Sequence, residues 1–338
     1  MENWSEKKSV NNNLFLQKLG IEVPVICGAM YPCSNPELIA AVSESGGIGM
    51  VQPLSLVYAY SIPFEEGLNQ IKSLTTKPVG LNVIVEKNIK AYEDRMKNWV
   101  DIALTKGVRF FVTALGDPSW VIEKVKPFGG IVYHDVTERK WAERAVRLGV
   151  DGLICVNNRA GGHAGNQSAE DLFKQLSDFG LPLICAGGVS TSDHFIDSLK
   201  MGYSGVQMGT RFIATTECKA HPDYKEAILR ASEKDIVLTK RVTGVPLSVI
   251  RTPYVDSVGL EIGPIAQFLF RFRRTRHWLR FLYNLRSVRA MKKTNLKGLS
   301  TKDYYQAGKG VEGINEVLGA NTILKIFRTA YEKFLAGE

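Results

Sequence analysis

The chain has 338 residues, 45% hydrophobic and 23% charged, a balance that fits a folded globular protein and argues against a disordered or fibrous one. Its net charge of +9 is local: residues 262–302 hold eleven Lys or Arg and no acid, while the remainder carries 32 bases against 34 acids. A charge confined to one segment does not make the protein a nucleic-acid binder, and no nucleic-acid partner is expected.

Residues 1–22 read as a lead-in. With Glu2 and Glu6 and no apolar centre they do not read as a secretory signal, and no apolar run reaches the roughly 18 residues of a membrane span. The five cysteines, Cys27, Cys33, Cys155, Cys185 and Cys218, are odd in number and lack the short spacing of a metal knuckle. A reduced, cytoplasmic setting without structural disulfides or zinc is expected.

From Val23 to about Arg211 one pattern recurs: a short apolar run, a polar loop, a helical stretch, a glycine, the next run. The predicted strands are Val23–Cys27, Gly47–Val51, Pro78–Ile84, Val108–Thr113, Gly130–Tyr133, Gly152–Val156, Leu181–Ala186 and Gly205–Met208. They are apolar throughout, as parallel strands covered on both faces must be. Asn35-Pro36 gives a helix start, Thr137 begins another helical stretch, and Ser168 with Asp171 is a capping-box variant. Gly46, Gly107, Gly149, Gly180 and Gly202 each precede a strand, where a helix-ending left-handed residue belongs. Eight repeats predict a (β/α)8 TIM barrel over 23–235. An open doubly wound sheet is disfavoured, because Gly28-Ala29-Met30-Tyr31-Pro32 after the first strand is no dinucleotide fingerprint. Residues 236–338 are expected to form a largely helical extension covering the barrel. Within it, Trp278, Phe281, Leu282, Leu285 and Val288 interleave with Arg280, Arg286, Arg289 and Lys292 as a basic amphipathic helix. A solvated basic face over the barrel is the favoured reading. An anionic membrane surface or an acidic partner are the alternatives.

Barrel chemistry belongs to the loops after the strands. The seventh strand is followed by Ala186-Gly187-Gly188-Val189, the eighth by Gln207-Met208-Gly209-Thr210-Arg211. Glycines there let backbone N–H groups approach an anion, and these loops are where barrels bind phosphate. The sixth strand leads to Arg159-Ala160-Gly161-Gly162-His163-Ala164-Gly165, placing His163 to act as a base or a donor; a loop histidine bonded to a carbonyl is the competing reading. Tyr133-His134-Asp135 after the fifth strand offers a second histidine, with a loop or capping role favoured for the His–Asp pair. Asn82 is a polar residue inside an apolar strand and needs partners. The histidines are too scattered for a metal site.

Five of these pieces, Pro24–Met30, Gly80-Leu81-Asn82, Ala160–Gly165, Ala186–Val189 and Gln207–Phe212, resemble the FMN barrels of the nitronate monooxygenase (2-nitropropane dioxygenase) family. Tyr305–Gly310 resembles that family's C-terminal Ala-Gly-Gln-Gly segment. The resemblance implies bound FMN, with Gly187, Gly188, Gly209 and Thr210 at the phosphate. Gly28, Ala29, Met30, Asn82, Gly161, Gly162, Ala186, Gln207 and Met208 would lie along the cofactor, and His163 would be the catalytic residue. It implies oxidation of alkyl nitronates with O2 to a carbonyl compound and nitrite. The chain departs from the family's pattern at Val156, Arg159 and Lys309. Arg159, with His134 and Tyr305, is a candidate for substrate binding, a guanidinium suiting a negatively charged substrate.

Two relatives of this barrel are alternatives: a flavin-dependent enoyl-acyl carrier protein reductase, whose acidic carrier would dock on residues 262–302, and a quinone reductase. Either would use NADH or NADPH as electron donor. An inosine-monophosphate dehydrogenase is excluded, since its loop after strand six needs a cysteine absent here. A membrane- or partner-binding module built on the basic helix ranks lowest, because it leaves the glycine loops without a purpose.

Overall fold

The computed structural model describes residues 13–85, 90–242, 244–263, 295–296 and 304–338. Eight parallel strands close into a barrel in chain order: β1 (Val25–Cys27), β2 (Ile48–Val51), β3 (Val79–Ile84), β4 (Phe110–Ala114), β5 (Ile131–Val136), β6 (Gly152–Val156), β7 (Leu183–Ala186) and β8 (Gly205–Met208). Each predicted strand is present. The fifth differs in length, because it continues through His134 and Asp135 to Val136 before the chain turns.

Helix α1 (Leu14–Leu19) precedes the barrel. Between the strands lie α2 (Pro36–Glu44), α3 (Phe64–Leu74), α4 (Lys90–Thr105), α5 (Ser119–Val125), α6 (Arg139–Arg147), α7 (Ala169–Leu176) and α8 (Ser192–Lys200). The five glycines expected to end helices all adopt positive φ. Ser168 caps α7, accepting from the Asp171 amide and donating to its carboxylate. Asn35 precedes α2 but does not cap it. Its buried amide donates instead to Glu37 and to the Glu217 carbonyl, tying the first loop to the chain beyond β8.

Successive strand residues face opposite sides, so each strand divides between the lumen and the helix layer. In a barrel of this kind inward side chains stack in layers of four, contributed by alternate strands. The register closes only if neighbouring strands at equal height are offset by one residue from their hydrogen-bonded partners. Counting from Ile26↔Ile48, Met50↔Gly80, Val112↔Tyr133 and Ile154↔Ile184, one layer is Ile26, Gly80, Tyr133 and Ile184. The next towards the strand C-termini is Met50, Val112, Ile154 and Gln207, and the one above is Gly28, Asn82, Asp135 and Ala186. The lower part is densely filled. Phe15 of α1 plugs the base, fully buried, with ring centroids 6.4 Å from Phe110 and 5.8 Å from Tyr133. Gly80 and Gly152 make room for this packing: a Cβ on them would fall 2.3 Å from Met50 Sδ and 2.4 Å from Tyr133 Cζ.

Beyond β8 come α9 (Thr210–Ile213) and α10 (Pro222–Arg230). The extension then opens as an antiparallel hairpin, β9 (Ile236–Thr239) and β10 (Leu247–Ile250), where a largely helical segment was expected. Among its described residues α11 (Pro253–Val258), residues 295–296, a 3-10 turn at Lys309–Gly313 and α12 (Ala320–Ala336) are helical. Nearly all of the basic segment 262–302 lies outside the described residues. α12 returns to the barrel and packs against α2 and α8, joining Phe327 and Tyr331 to Phe195 at 5.2 and 6.1 Å. It fills the helix layer between those two helices. No described helix is long and apolar enough to cross a membrane.

Phe15→Ala should destabilise the protein by about 3–5 kcal/mol, the usual cost of deleting a buried ring. Urea unfolding measures it: a lower midpoint with unchanged slope is expected, and a loss under about 1 kcal/mol would show that α1 is not part of the core.

Candidate active site

All strand C-termini open on one face of the barrel, and the loops that follow them meet there. Their arrangement follows from a few buried groups. Asn157, fully buried at the end of β6, donates from Nδ2 to the Gly187 carbonyl at 3.0 Å and accepts from the Arg159 amide at 2.8 Å. It therefore locks the loop after β6 to the loop after β7. Nothing in the sequence marked it, except that an amide immediately following an apolar strand must find partners.

Gly187 and Gly188 have φ of 124° and 80°. A Cβ on Gly187 would sit 2.3 Å from Asn157 Oδ1, and one on Gly188 2.6 Å from Arg159 Nε. Only glycine fits either place. The N–H groups of Gly188, Gly209 and Thr210 donate to no described residue, which leaves a cluster of backbone donors of the kind that receives an anion. Gly209 is different in kind: its φ is −110° and a Cβ would meet only Met30 Sδ, at 3.4 Å.

The C-terminal segment completes this rim. Gly308 donates to Thr210 Oγ1 at 3.0 Å and Lys309 to the Arg159 carbonyl at 2.9 Å. A Cβ on Gly161 would lie 2.9 Å from the Gly308 nitrogen, so the small residue there serves the close approach of two backbones. Gly162 accepts from Ser248 of the hairpin at 2.8 Å. The His163 loop is thereby held from three sides. By surface area His163 is exposed, yet desolvation by the surrounding protein lowers its pKa. The imidazole is neutral at neutral pH.

Below this rim lies the layer Gly28, Asn82, Asp135 and Ala186. It is not packed like the layers beneath it. Two members contribute almost no side chain, and two are polar. Asn82 is 8% exposed and its amide bonds to no described residue. Asp135 keeps some exposure as a residue, while its Oδ1 is buried without a partner. Desolvation pushes its carboxyl up to about 7. Beside them, Gln207 comes within reach of Gly28, whose Cβ would lie 3.1 Å from Gln207 Cγ. Protein interiors are close-packed and their polar groups satisfied; a layer that is neither is shaped for a polar ligand. The loop or capping role expected for Asp135 follows from ending β5 at Tyr133, three residues early. The period-two sequence Ile131, Tyr133, Asp135 is the signal that places it in the lumen.

Four predicted positions need correction. His134 alternates with Tyr133 and so faces the helix layer, where its Nδ1 lies 2.8 Å from Thr113 Oγ1; it does not reach the lumen. Burial lowers its pKa to about 4. Tyr305 is 6% exposed and stacks on Tyr224 at 4.8 Å, so its ring is a packing element. Arg159 is bound in bidentate fashion by Glu233 at 2.8 and 2.9 Å, and Lys309 joins the same carboxylate at 3.2 Å; its charge is not free for a substrate. Met208 packs its side chain in the helix layer, and what it offers the site is a carbonyl that holds the Gly28 amide at 2.9 Å. Gly28, Ala29, Met30, Asn82, Gly161, Gly162, His163, Ala186, Gly187, Gly188, Gln207, Gly209 and Thr210 gather at the C-terminal face or in the lumen beneath it.

Backbone donors for an anion, a polar layer beneath them and the His163 loop meet at one end of the barrel, where barrel enzymes carry their active sites. The chain belongs to the nitronate monooxygenase family, whose model it matches over residues 12–325. A Rhodococcus jostii "(3aS,4S,5R,7aS)-5-hydroxy-7a-methyl-1-oxo-octahydro-1H-indene-4-carboxyl-CoA dehydrogenase" is 28% identical over 71% of this chain. That match spans 66% of the relative's length, just under two thirds. A probable nitronate monooxygenase of Staphylococcus aureus (strain Newman) is 26% identical over 76% of this chain and 83% of its own. Among solved structures, FabK from Thermotoga maritima superposes with a TM-score of 0.77 at 26% identity, covering 96% of this chain and 99% of that one.

Gly209→Val should leave the fold intact and weaken uptake of FMN by the flavin-free protein at least about 10-fold, because the added methyls enter the anion's space while the backbone tolerates them; unchanged affinity in a fluorescence titration would remove the loop after β8 from the site. A second test uses pH. A carboxyl whose folded pKa lies above its unfolded one costs nothing below about pH 4 and progressively more as the pH rises to about 7. Asp135→Asn should therefore stabilise the flavin-free protein by on the order of 2 kcal/mol at pH 8, with the gain vanishing towards pH 4. Equal melting shifts at both pH values would contradict the buried carboxyl.

Proposed function

We propose that the protein is an FMN-dependent oxidoreductase that oxidises alkyl nitronates with O2, giving a carbonyl compound and nitrite. The observation that supports this most is the layer Gly28–Asn82–Asp135–Ala186, two small and two polar residues lying beneath the anion-receiving loops. Its unpartnered amide and carboxylate oxygen fit a ligand rich in hydrogen-bonding groups, and the Gly187–Gly188 cradle fits that ligand's phosphate. When bound, FMN supplies the two-electron chemistry, taking electrons from the substrate and giving them to O2.

The protein's own part is binding, orientation and proton handling. Gly188, Gly209 and Thr210 present N–H groups to the phosphate. Asn82 and Gln207 offer amides to the heteroaromatic edge, and Gly28, Ala29 and Met30 let the ring lie close to the backbone. His163, neutral at working pH, either accepts a proton from a neutral nitroalkane or donates its ring N–H to the nitronate oxygen. Desolvation by the surrounding protein lowers the His163 pKa, which favours the uncharged form that can act as a base.

A second reading has one specific support. The Rhodococcus relative, named as a dehydrogenase of a hydroxylated carboxyl-CoA, is more similar to this chain than the Staphylococcus monooxygenase. In this reading His163 would serve as the base towards the hydroxyl of an acyl-CoA thioester, and the bound cofactor would supply the electron acceptor.

Anaerobic mixing of the flavin-loaded protein with an alkyl nitronate, with a hydroxyacyl-CoA, and with NADH or NADPH separates these. Rapid bleaching by nitronate alone is expected. Bleaching only by the thioester would install the second reading, and bleaching only by a nicotinamide would make the protein a reductase. His163→Ala should retain flavin and lose about 10²–10⁴-fold in turnover; unchanged turnover would make His163 a loop residue.

A further inference from the structure

The floor layer contains one group that the family resemblance gives no task. Asp135 shares its height with Gly28, Asn82 and Ala186, and its register partner Ile154 belongs to the lumen cluster. Its Oδ1 is buried and has no hydrogen-bond partner among the described residues. Its two neighbours in the layer are Asn82 on β3 and Ala186 on β7, and opposite it Gly28 has no side chain. Ala186 is also the residue that leads into the Gly187–Gly188 cradle. Asp135 is the polar neighbour of Ala186 within the layer, and Gln207 is the register partner of Ala186 on β8.

We propose that Asp135 receives a hydroxyl of the ribityl chain that joins the phosphate of FMN to its ring. The inference rests on the assignment of FMN above and deepens it. An acceptor oxygen buried without a partner requires a donor, and its isolation costs stability until one arrives. Between phosphate and ring the cofactor carries hydroxyls and nothing else that donates. The ring's own N–H lies at the end of the molecule remote from the phosphate. Asp135 is thus a binding and positioning residue for the chain that links the cofactor's phosphate to its ring.

The test is a binding cycle on the flavin-free full chain, read by quenching of flavin fluorescence. Asp135→Ala should weaken FMN roughly 10–100-fold, the usual scale for a charge-assisted hydrogen bond, and Asp135→Asn, which keeps an acceptor oxygen, should lose less. FMN analogues lacking one ribityl hydroxyl should bind the native chain more weakly, and for one of them the Asp135→Ala penalty should largely disappear. Should Asp135→Ala fail to fold, Asp135→Asn and the analogue series on the native chain carry the same comparison. Native affinity for FMN in the folded variants, or variant and analogue penalties that simply add for every hydroxyl, would overturn the proposal while leaving FMN in the site. A native chain that binds no FMN would overturn the assignment of the cofactor itself.

Discussion

Closure of eight parallel strands is the constraint on which the rest depends. Once the register is fixed, each inward side chain belongs to a layer of four, and the barrel must either fill that layer or leave it for something else. Here the lower layers are filled. Phe15 enters from below, Tyr133 and Phe110 meet edge to face at 5.2 Å, and glycines on β3 and β6 give way to larger neighbours. The layer at the strand C-termini breaks the pattern with two positions that hold almost nothing and two that hold polar groups. Natural sequences depart from good packing and satisfied polarity chiefly where function requires it.

The barrel alone does not make the site. The chain leaves after β8, forms a hairpin, and comes back so that Gly308 and Lys309 bond to the loops after β8 and β6. Tyr224 and Tyr305 stack beneath this return, and the Tyr224 hydroxyl donates to the Gln306 carbonyl. Gly162 is fastened to the same hairpin. The histidine loop is consequently clamped by segments far apart in sequence, and α12 seals the helix layer behind them. Rigid support of this sort is what holds a catalytic side chain in one orientation.

Much of this was legible in the residues. Eight short apolar runs with glycines before them specify the barrel, because both faces of a parallel sheet are covered and helices end in left-handed turns. The paired glycines of Gly187-Gly188 and the Gly209-Thr210 turn pointed to the anion-binding end. What was not legible depends on direction and distance. His134 and Asp135 are adjacent, and only the true end of β5 decides that the carboxyl faces inward and the imidazole outward. Arg159 reads as a free cation until Glu233, distant in sequence, is found against it. Tyr305 reads as a ligand contact until its stacking partner is seen. The hairpin at 236–250 was not foreseen in an extension expected to be largely helical, since the helical spacing read there lay only at 278–288.

The claim most in need of test is that this face of the barrel holds FMN. Chromatography and mass analysis of the small molecules released when the purified protein is denatured address it directly. One FMN per chain, released by denaturation or taken up beforehand by a flavin-depleted sample, is the result the account predicts. A protein that releases no flavin and takes up none at saturating FMN would contradict it.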